Sequence, residues 1–167
     1  MQETGAPVQL REMAKEDVPH VLDAQEPGAV LGMGEVFPQD QYPFPREVIA
    51  QRWVEEIATP GIDSLVVSLH GAVVGFVAVR EDEFLHFGIA VEHWGTGIAQ
   101  AAHAATLDRM RTSGVQRAWL RVFTKNGRGR RFYEKLGWIQ VGGASHSEFP
   151  PHAELLRYER DLTEPAR

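Results

Sequence analysis

Two glycines, Gly95 and Gly97, stand where a strand-like run ends and a helical pattern begins. The first N–H groups of a helix have no partner inside the helix, and the helix dipole adds partial positive charge there. Glycine also lets the backbone approach a ligand closely and adopt positive φ values. Residues 87–100 therefore predict a strand, a turn and a helix start whose main-chain groups bind an anion such as phosphate or pyrophosphate.

Two common phosphate-binding motifs do not match this turn. A P-loop requires Gly-Lys followed by Ser or Thr, and residues 94–99 read Trp-Gly-Thr-Gly-Ile-Ala. A dinucleotide-binding turn follows the first strand of a βαβ unit, whereas this turn follows the fourth predicted strand, after an antiparallel hairpin. The context therefore argues against both nucleotide folds, and the ligand must be identified from a second motif.

The second motif lies downstream, and together the two segments resemble the GNAT superfamily of N-acetyltransferases. The family patterns are Val-x-Pro-x-x-Arg/Gln-Gly-x-Gly-x-Gly/Ala and Asn-x-x-Ala-x-x-Phe-Tyr-Glu-Lys-Leu-Gly-Phe. The matching segments here are residues 89–99, Ile-Ala-Val-Glu-His-Trp-Gly-Thr-Gly-Ile-Ala, and residues 126–138, Asn-Gly-Arg-Gly-Arg-Arg-Phe-Tyr-Glu-Lys-Leu-Gly-Trp. Val91 replaces the proline, Trp94 the basic or amide residue, Gly129 the alanine and Trp138 the final phenylalanine. The resemblance is strong over residues 65–141.

The resemblance implies acetyl-CoA as cosubstrate, no metal, and a defined set of binding residues. A neighbouring strand that splays away would leave main-chain groups of the fourth strand unpaired for the pantetheine arm. The implied pantetheine contacts are Phe87, Gly88, Ile89 and Asn126. The implied pyrophosphate contacts are Gly95, Thr96, Gly97, Ile98, Ala99 and Gln100, and Arg128, Arg130 and Arg131 lie near enough in sequence to meet the 3′-phosphate.

The resemblance also implies acetyl transfer to a primary amine by direct attack through a tetrahedral intermediate. Tyr133 occupies the family's general-acid position, although a tyrosine that only packs on the cofactor would look the same. Glu83 stands where many members place the general base, and the alternative for Glu83 is a surface acid at a strand edge. His86, whose ordinary pKa is near neutral, is the rival base. A main-chain N–H around Ile89 would stabilise the oxyanion.

Two other functions remain open from the sequence. A catalytically silent acyl-CoA-binding sensor or regulatory domain would keep the same binding residues and show no turnover. A phosphate-binding nucleotide domain would be stabilised against heat more by ATP than by acetyl-CoA.

Charge is unevenly distributed along the 167 residues. The net charge of −6 argues against a general nucleic-acid binder. Residues 109–135 hold nine of the 17 basic residues and one of the 23 acidic ones, so the remainder carries 8 minus 22, or −14. The basic segment predicts a local anionic ligand, although a solvated arginine-rich helix face gives the same pattern. The acidic remainder favours a cationic small-molecule amine or a peptide N-terminus as acceptor.

The remaining expectations concern organisation and location. Residues 1–167 read as one acetyltransferase domain with a substrate-side loop from Pro27 to Pro45 and a flexible tail over 162–167. The chain has no cysteine, and its most apolar stretch, Leu65 to Val79, is too interrupted to span a bilayer. We expect a cytoplasmic monomer or homodimer that contacts neither membrane nor nucleic acid.

The pattern of elements predicts an α/β (α+β) fold. Interleaved helices and strands around a hairpin indicate a GNAT-like mixed, mostly antiparallel sheet of six to seven strands flanked by about four helices. The predicted strands are 8–11, 65–69, 73–79, 83–89, 116–123, 138–141 and 154–160. The predicted helices are 17–25, 45–58, 97–113 and 128–136.

Overall fold

The computed structural model describes residues 8–163. The strands are β1 Gln9–Glu12, β2 Ile62–Leu69, β3 Ala72–Arg80, β4 Glu83–Ile89, β5 Arg117–Phe123, β6 Ile139–His146 and β7 Glu154–Asp161. The helices are α1 Val18–Gly32, α2 Arg46–Ile57, α3 Ile98–Thr112 and α4 Gly127–Lys135, with 3₁₀ turns at Lys15–Asp17 and Val91–His93.

The seven strands form one mixed sheet in the order β1-β2-β3-β4-β5-β7-β6. Every neighbouring pair is antiparallel except β4 and β5, which are parallel. The predicted fold class is therefore confirmed, including the mostly antiparallel sheet and the four helices.

Alternate residues of the central strands face two helical layers. One face packs on α1 and α2, where Trp53 contacts Phe76 edge-on with ring centroids 5.5 Å apart. The other face packs on α3 and α4, and its core includes Leu120 and Tyr158. Because helices cover both faces of the sheet, β2 and β3 carry apolar side chains on both faces, and their apolar runs are nearly continuous.

The sheet opens between β4 and β5. Glu83 pairs with Trp119 at the start of the two strands, and the rest of β4 has no registered partner on β5 within residues 8–163. On the other side of β4, Ala78 lies opposite His86 and Val79 opposite Phe84. Leu85 is therefore an extra residue, a β-bulge that bends β4 away from a regular ladder. The bend leaves a wedge-shaped gap that widens toward Ile89.

The prediction of an irregular segment from Pro27 was wrong at its beginning. Helix α1 continues through Pro27 to Gly32, and the connection to α2 is residues 33–45. Side chains at Gly28 and Gly32 would meet the ring of Trp94 at 3.6 and 3.5 Å, so this face of α1 packs on the indole. Tertiary packing thus outweighs the weak helix propensity of proline and glycine.

The connection between α1 and α2 reaches across to the far side of the gap. The ring of Phe37 packs edge-on against Phe123 of β5, with centroids 5.4 Å apart. The prediction of a flexible tail over 162–167 was wrong at Leu162, which is buried and whose N–H donates to the Gln116 carbonyl. Residues 164–167 of that predicted tail lie outside the described part of the chain.

Candidate active site

The turn after β4 has the backbone conformation expected of an anion-binding turn. Gly95 and Gly97 have φ of 76° and 89°, values that other residues adopt at a cost. Gly97 is the N-cap of α3, and no side chain of residues 8–163 caps that helix start. The first N–H groups of α3 therefore have no side-chain cap, and their contact with a ligand stays a prediction.

Trp94 joins this turn to three other elements. Its Nε1 donates a 2.8 Å hydrogen bond to the carbonyl oxygen of Ile89, at the wide end of the gap. The guanidinium carbon of Arg128 lies 3.5 Å from the centre of the Trp94 ring, a close cation–π contact. The indole that departs from the family pattern therefore brings an α4 arginine beside the glycine turn.

Asn126 starts helix α4. Its Oδ1 accepts a 2.9 Å hydrogen bond from the Gly129 N–H, which is a helix N-cap. A Cβ at Gly129 would lie 2.6 Å from Nδ2 of Asn126, so the glycine that replaces the usual alanine makes room for this conformation. Contact between Asn126 and a cofactor stays a prediction. Arg131, a predicted phosphate contact, is exposed on α4.

Tyr133 lies on the α3–α4 face of the sheet, against β4. Its ring centroid is 6.2 Å from that of Phe84, so a side chain of α4 contacts β4 across the gap. Burial raises the pKa of Tyr133, so the phenol is protonated at neutral pH. No group within residues 8–163 hydrogen-bonds its hydroxyl, which leaves the O–H free to donate to a ligand. The rings of Phe87 and Phe132 stack beside it at 5.8 Å.

Glu83 is buried at the closed end of the gap and binds two arginines. Its Oε1 accepts from Nη2 of Arg80 at 2.6 Å, and its Oε2 lies 3.7 Å from Nη2 of Arg121. Only 2% of Glu83 is exposed. Both carboxylate oxygens of Glu83 are therefore engaged by arginine side chains. These contacts favour a structural role for the first of the two predicted bases.

His86 lies on the opposite face of β4 from Tyr133 and has a carboxylate partner. Its Nε2 is 2.9 Å from Oε1 of Glu56 on α2, and its ring packs edge-on against Trp53. Burial lowers the pKa of His86, against the opposing effect of the Glu56 hydrogen bond. Although burial alone would raise it, the pKa of Glu56 is held below its usual range by the His86 hydrogen bond and nearby arginines.

The contact between His86 and Glu56 indicates which ring nitrogen of His86 carries the hydrogen. Because Glu56 is ionised, Nε2 of His86 carries the hydrogen and donates it to the carboxylate. Nδ1 is then the basic nitrogen, and a neutral imidazole with a fixed tautomer is the form that accepts a proton. Glu56 was missed by the sequence reasoning, because nothing in its spacing connects it to a strand 30 residues away.

A second buried histidine, His103 on α3, is also a finding of the structure alone. It is 3% exposed, and its Nε2 accepts a 2.9 Å hydrogen bond from Nε1 of Trp138. Burial, with the charges of Arg160 and Arg111, lowers the pKa of His103 to about 4. The neutral ring is therefore part of the α3–α4 core.

We expect His103 to make the fold sensitive to acid. The unfolded chain takes up a proton at this residue near pH 6.5, whereas the folded chain does so only near pH 4. Stability is therefore lost as pH falls across this window, by about 3 kcal/mol in total. His103→Gln keeps an acceptor for Trp138 and should lose about that much less stability between pH 6.5 and 4 in denaturant unfolding. Parallel curves for the two proteins would contradict this assignment.

A family comparison decides the identity of this arrangement. The model of the acetyltransferase (GNAT) family matches residues 37–138, which is more than half of the chain. The chain belongs to the GNAT acetyltransferase family. None of the curated proteins compared with it matches.

Solved structures of GNAT proteins share this fold over nearly the whole chain. A spermidine N-acetyltransferase chimera from Vibrio cholerae and hSSAT superposes with a TM-score of 0.71 at 18% identity, covering 95% of this chain and 97% of that one. The Vibrio cholerae spermidine N-acetyltransferase in complex with CoA and spermine has a TM-score of 0.69 at 17% identity, covering 93% and 96%. Ard1 from Thermoplasma volcanium has a TM-score of 0.64 at 20% identity, covering 94% and 99%.

An open groove of this GNAT domain is lined mainly by α1 and includes no residue of β4 or β5. It has a volume of about 540 Å³ and lies along the outer side of α1. Its two carboxylates, Asp23 and Glu26, both bind Arg46, at 2.7 and 2.8 Å. Both carboxylates are therefore engaged by the same arginine, whereas the candidate reactive groups lie around β4.

Neither a membrane-spanning helix nor a metal-binding cluster occurs within residues 8–163. None of their helices is long and apolar enough to cross a membrane. Their His, Asp and Glu side chains also form no group of three that could hold a metal ion.

Proposed function

We propose that this GNAT protein transfers an acetyl group from acetyl-CoA to the nitrogen of a primary amine. The observation that carries the proposal is the gap between β4 and β5, with Tyr133 on one face of β4 and His86 on the other. Donor and acceptor can therefore approach from opposite faces of the sheet and meet through the gap. A direct transfer requires this geometry, because both substrates must be present together.

The α3–α4 face suits the donor. The unpaired edge of β4 offers main-chain groups to an amide-containing arm such as pantetheine. The glycine turn and the free start of α3 offer N–H groups to a pyrophosphate, and the stacked Arg128 adds positive charge beside them. Together these groups suit a ligand that contains both amides and phosphates, as acetyl-CoA does.

The α1–α2 face suits the acceptor. We propose that Nδ1 of His86 takes the proton of the attacking amine and that Glu56 orients the ring and stabilises the imidazolium. Glu83 is the alternative base, and its two arginine contacts argue against that role. The spermidine N-acetyltransferases among the structural neighbours act on small-molecule amines, and we propose that class for this chain, in the cytoplasm.

The proposed step balances as a simple acyl transfer. The amine lone pair attacks the thioester carbonyl carbon, a C–N bond forms, and the oxyanion of the tetrahedral intermediate is stabilised by main-chain N–H groups near Ile89. The C–S bond then breaks, and the sulfur leaves with the electron pair. Tyr133 donates its hydroxyl hydrogen to that sulfur, while the amine proton goes to His86.

We expect Tyr133→Phe to lower kcat by about 10²-fold or more, because the departing thiolate loses its hydrogen-bond donor. The ring contacts with Phe84 and Trp138 are apolar, so phenylalanine preserves them and the affinity for acetyl-CoA. Steady-state release of free thiol measures kcat, and calorimetric titration measures the affinity. Unchanged turnover would remove Tyr133 from the chemistry.

A catalytically silent acyl-CoA-binding domain is the competing function, and the intact His86–Glu56 pair argues against it. The two are separated by mixing the protein with acetyl-CoA and a panel of primary amines while following free thiol. We expect thiol release that depends on the amine. Tight CoA binding with no turnover across the panel would overturn the enzymatic proposal.

A further inference from the structure

Arg52 is a charged side chain that the proposed chemistry leaves unused. It lies on α2 one helical turn before Glu56, and its guanidinium carbon is 5.8 Å from the ring centre of Phe149. Phe149 belongs to the connection between β6 and β7. The guanidinium therefore lies between α2 and this connection, on the same face of the sheet as His86.

The Arg52 guanidinium has no anionic partner among the residues that the structure describes. Its Nε is buried without a hydrogen-bond partner, and Arg52 forms no ion pair with any group of residues 8–163. Burial lowers the pKa of Arg52, against the more distant charges of Glu56 and Glu148. Burial of a cation without a partner is unfavourable, so such groups are normally paired.

Arginines elsewhere in the fold form ion pairs with protein carboxylates. Arg80 binds Glu83 at 2.6 Å and Arg157 binds Glu159 at 3.1 Å, so both guanidinium groups are neutralised by protein carboxylates. Glu56, the nearest acid on α2, is committed to His86. Arg52 thus differs from these arginines, because it is a partly buried cation whose N–H donors remain available to a ligand.

We infer that the acceptor amine also carries a carboxylate or a phosphate, which pairs with Arg52 while the amine faces His86. This inference rests on the proposed function. Arg52 lies one helical turn from Glu56, whose carboxylate is 2.9 Å from Nε2 of His86, so an anion bound at Arg52 lies close to the base. An acceptor with both groups would be held at two points, which orients the amine for attack. The acidic balance of the sequence had favoured a plain cationic amine.

The turnover test compares acceptors that differ only in the anionic group. The pairs are L-amino acids against their carboxamides, and phosphoethanolamine against ethanolamine, with spermidine as an acceptor that has no anion. We expect one anionic member to exceed its neutral partner about tenfold to a hundredfold in kcat/KM, as a charge-assisted hydrogen bond allows. The pair that shows the preference identifies the anion.

The variant Arg52→Met should abolish that preference, whereas Arg109→Met, at an exposed arginine of α3, should keep it. Equal turnover of both members of every pair by the unaltered protein would overturn the inference and leave acetyl transfer standing. A preference that survives in Arg52→Met would overturn it as well.

Thermal unfolding tests the inference without relying on turnover. Because Arg52 lacks a partner, Arg52→Met should melt at the same temperature as the unaltered protein or higher. The anionic probe should raise the melting temperature of the unaltered protein and not that of Arg52→Met. If no amine is acetylated but this shift is present, the anion site stands and the proposed function fails. A drop of several degrees in ligand-free Arg52→Met, with no probe shift in the unaltered protein, would make Arg52 a structural residue.

Discussion

His86→Gln should lower kcat by about 10²- to 10⁴-fold at neutral pH, the usual contribution of a general base. Glutamine can still donate a hydrogen bond to Glu56, which Nε2 of His86 contacts at 2.9 Å, but it cannot accept the proton of the amine. The donor side of β4 is untouched, so the affinity for acetyl-CoA should not change. Thiol release at saturating substrates measures the effect.

Glu83→Gln is the matched control for this prediction. Because Glu83 binds Arg80 and Arg121, its amide should reduce the free energy of unfolding more than it reduces kcat. The opposite pattern, a folded Glu83→Gln with a 10²-fold loss of kcat and an active His86→Gln, would assign the base to Glu83.

The pH dependence offers a second test of the same base. The imidazole must be neutral to accept a proton, so activity falls on the acidic side of the pH profile. Because burial lowers the pKa of His86, that limb should have its midpoint below pH 6.5. A midpoint above pH 6.5 would contradict the proposed environment of His86.

Gly97→Glu should raise the dissociation constant of acetyl-CoA by more than about 10²-fold. The substitution puts a negative charge at the start of α3, where the helix dipole and free N–H groups favour an anion. A Cβ there would meet no protein atom within 4 Å, so the loss comes from the ligand side rather than from a clash within the fold. Calorimetric titration with acetyl-CoA measures the change.

Gly61→Glu is the control for the backbone cost of this change. Gly61 also has a positive φ, 90°, with no atom within 4 Å of a Cβ, and it lies in the turn before β2. Both variants should therefore lose similar stability, and Gly61→Glu should keep its affinity for acetyl-CoA. Retained affinity in Gly97→Glu would overturn the assignment of the glycine turn.

The sequence was informative wherever function depends on local backbone geometry. The glycine turn could be predicted because positive φ values and a helix start require particular residues at Gly95 and Gly97. The boundaries of β4 were also predictable, since its apolar run ends at the turn. Backbone geometry of this kind depends on residues that are adjacent in the sequence, so a short motif can predict it.

The acceptor side could not be predicted for a physical reason. Glu56 of α2 and His86 of β4 are brought together by a hydrogen bond between two elements distant in sequence, which no short spacing records. The arginine partners of Glu83 could not be predicted for the same reason, because they are defined by the sheet register. The end of α1 was missed because the ring of Trp94, distant in sequence, supports Gly28 and Gly32.

The two faces of β4 have different proposed roles, one in binding the acetyl donor and one in binding the acceptor. The α3–α4 face holds main-chain groups and Tyr133 for the donor, and the α1–α2 face holds ionised side chains for the acceptor. The donor face relies on backbone geometry, which tolerates many side chains, whereas the acceptor face relies on particular residues. Acceptor choice can therefore change by substitution around Arg52 without loss of donor binding.

The central claim is that an acetyl group passes directly from acetyl-CoA to an amine within one complex. The most direct measurement uses acetyl-CoA with an isotopic label in the acetyl group and follows labelled amide and free thiol together. The account predicts that both form in equal amounts, at the same rate, and only when the amine is present. Thiol release without labelled amide, or binding of acetyl-CoA with neither product, would contradict it.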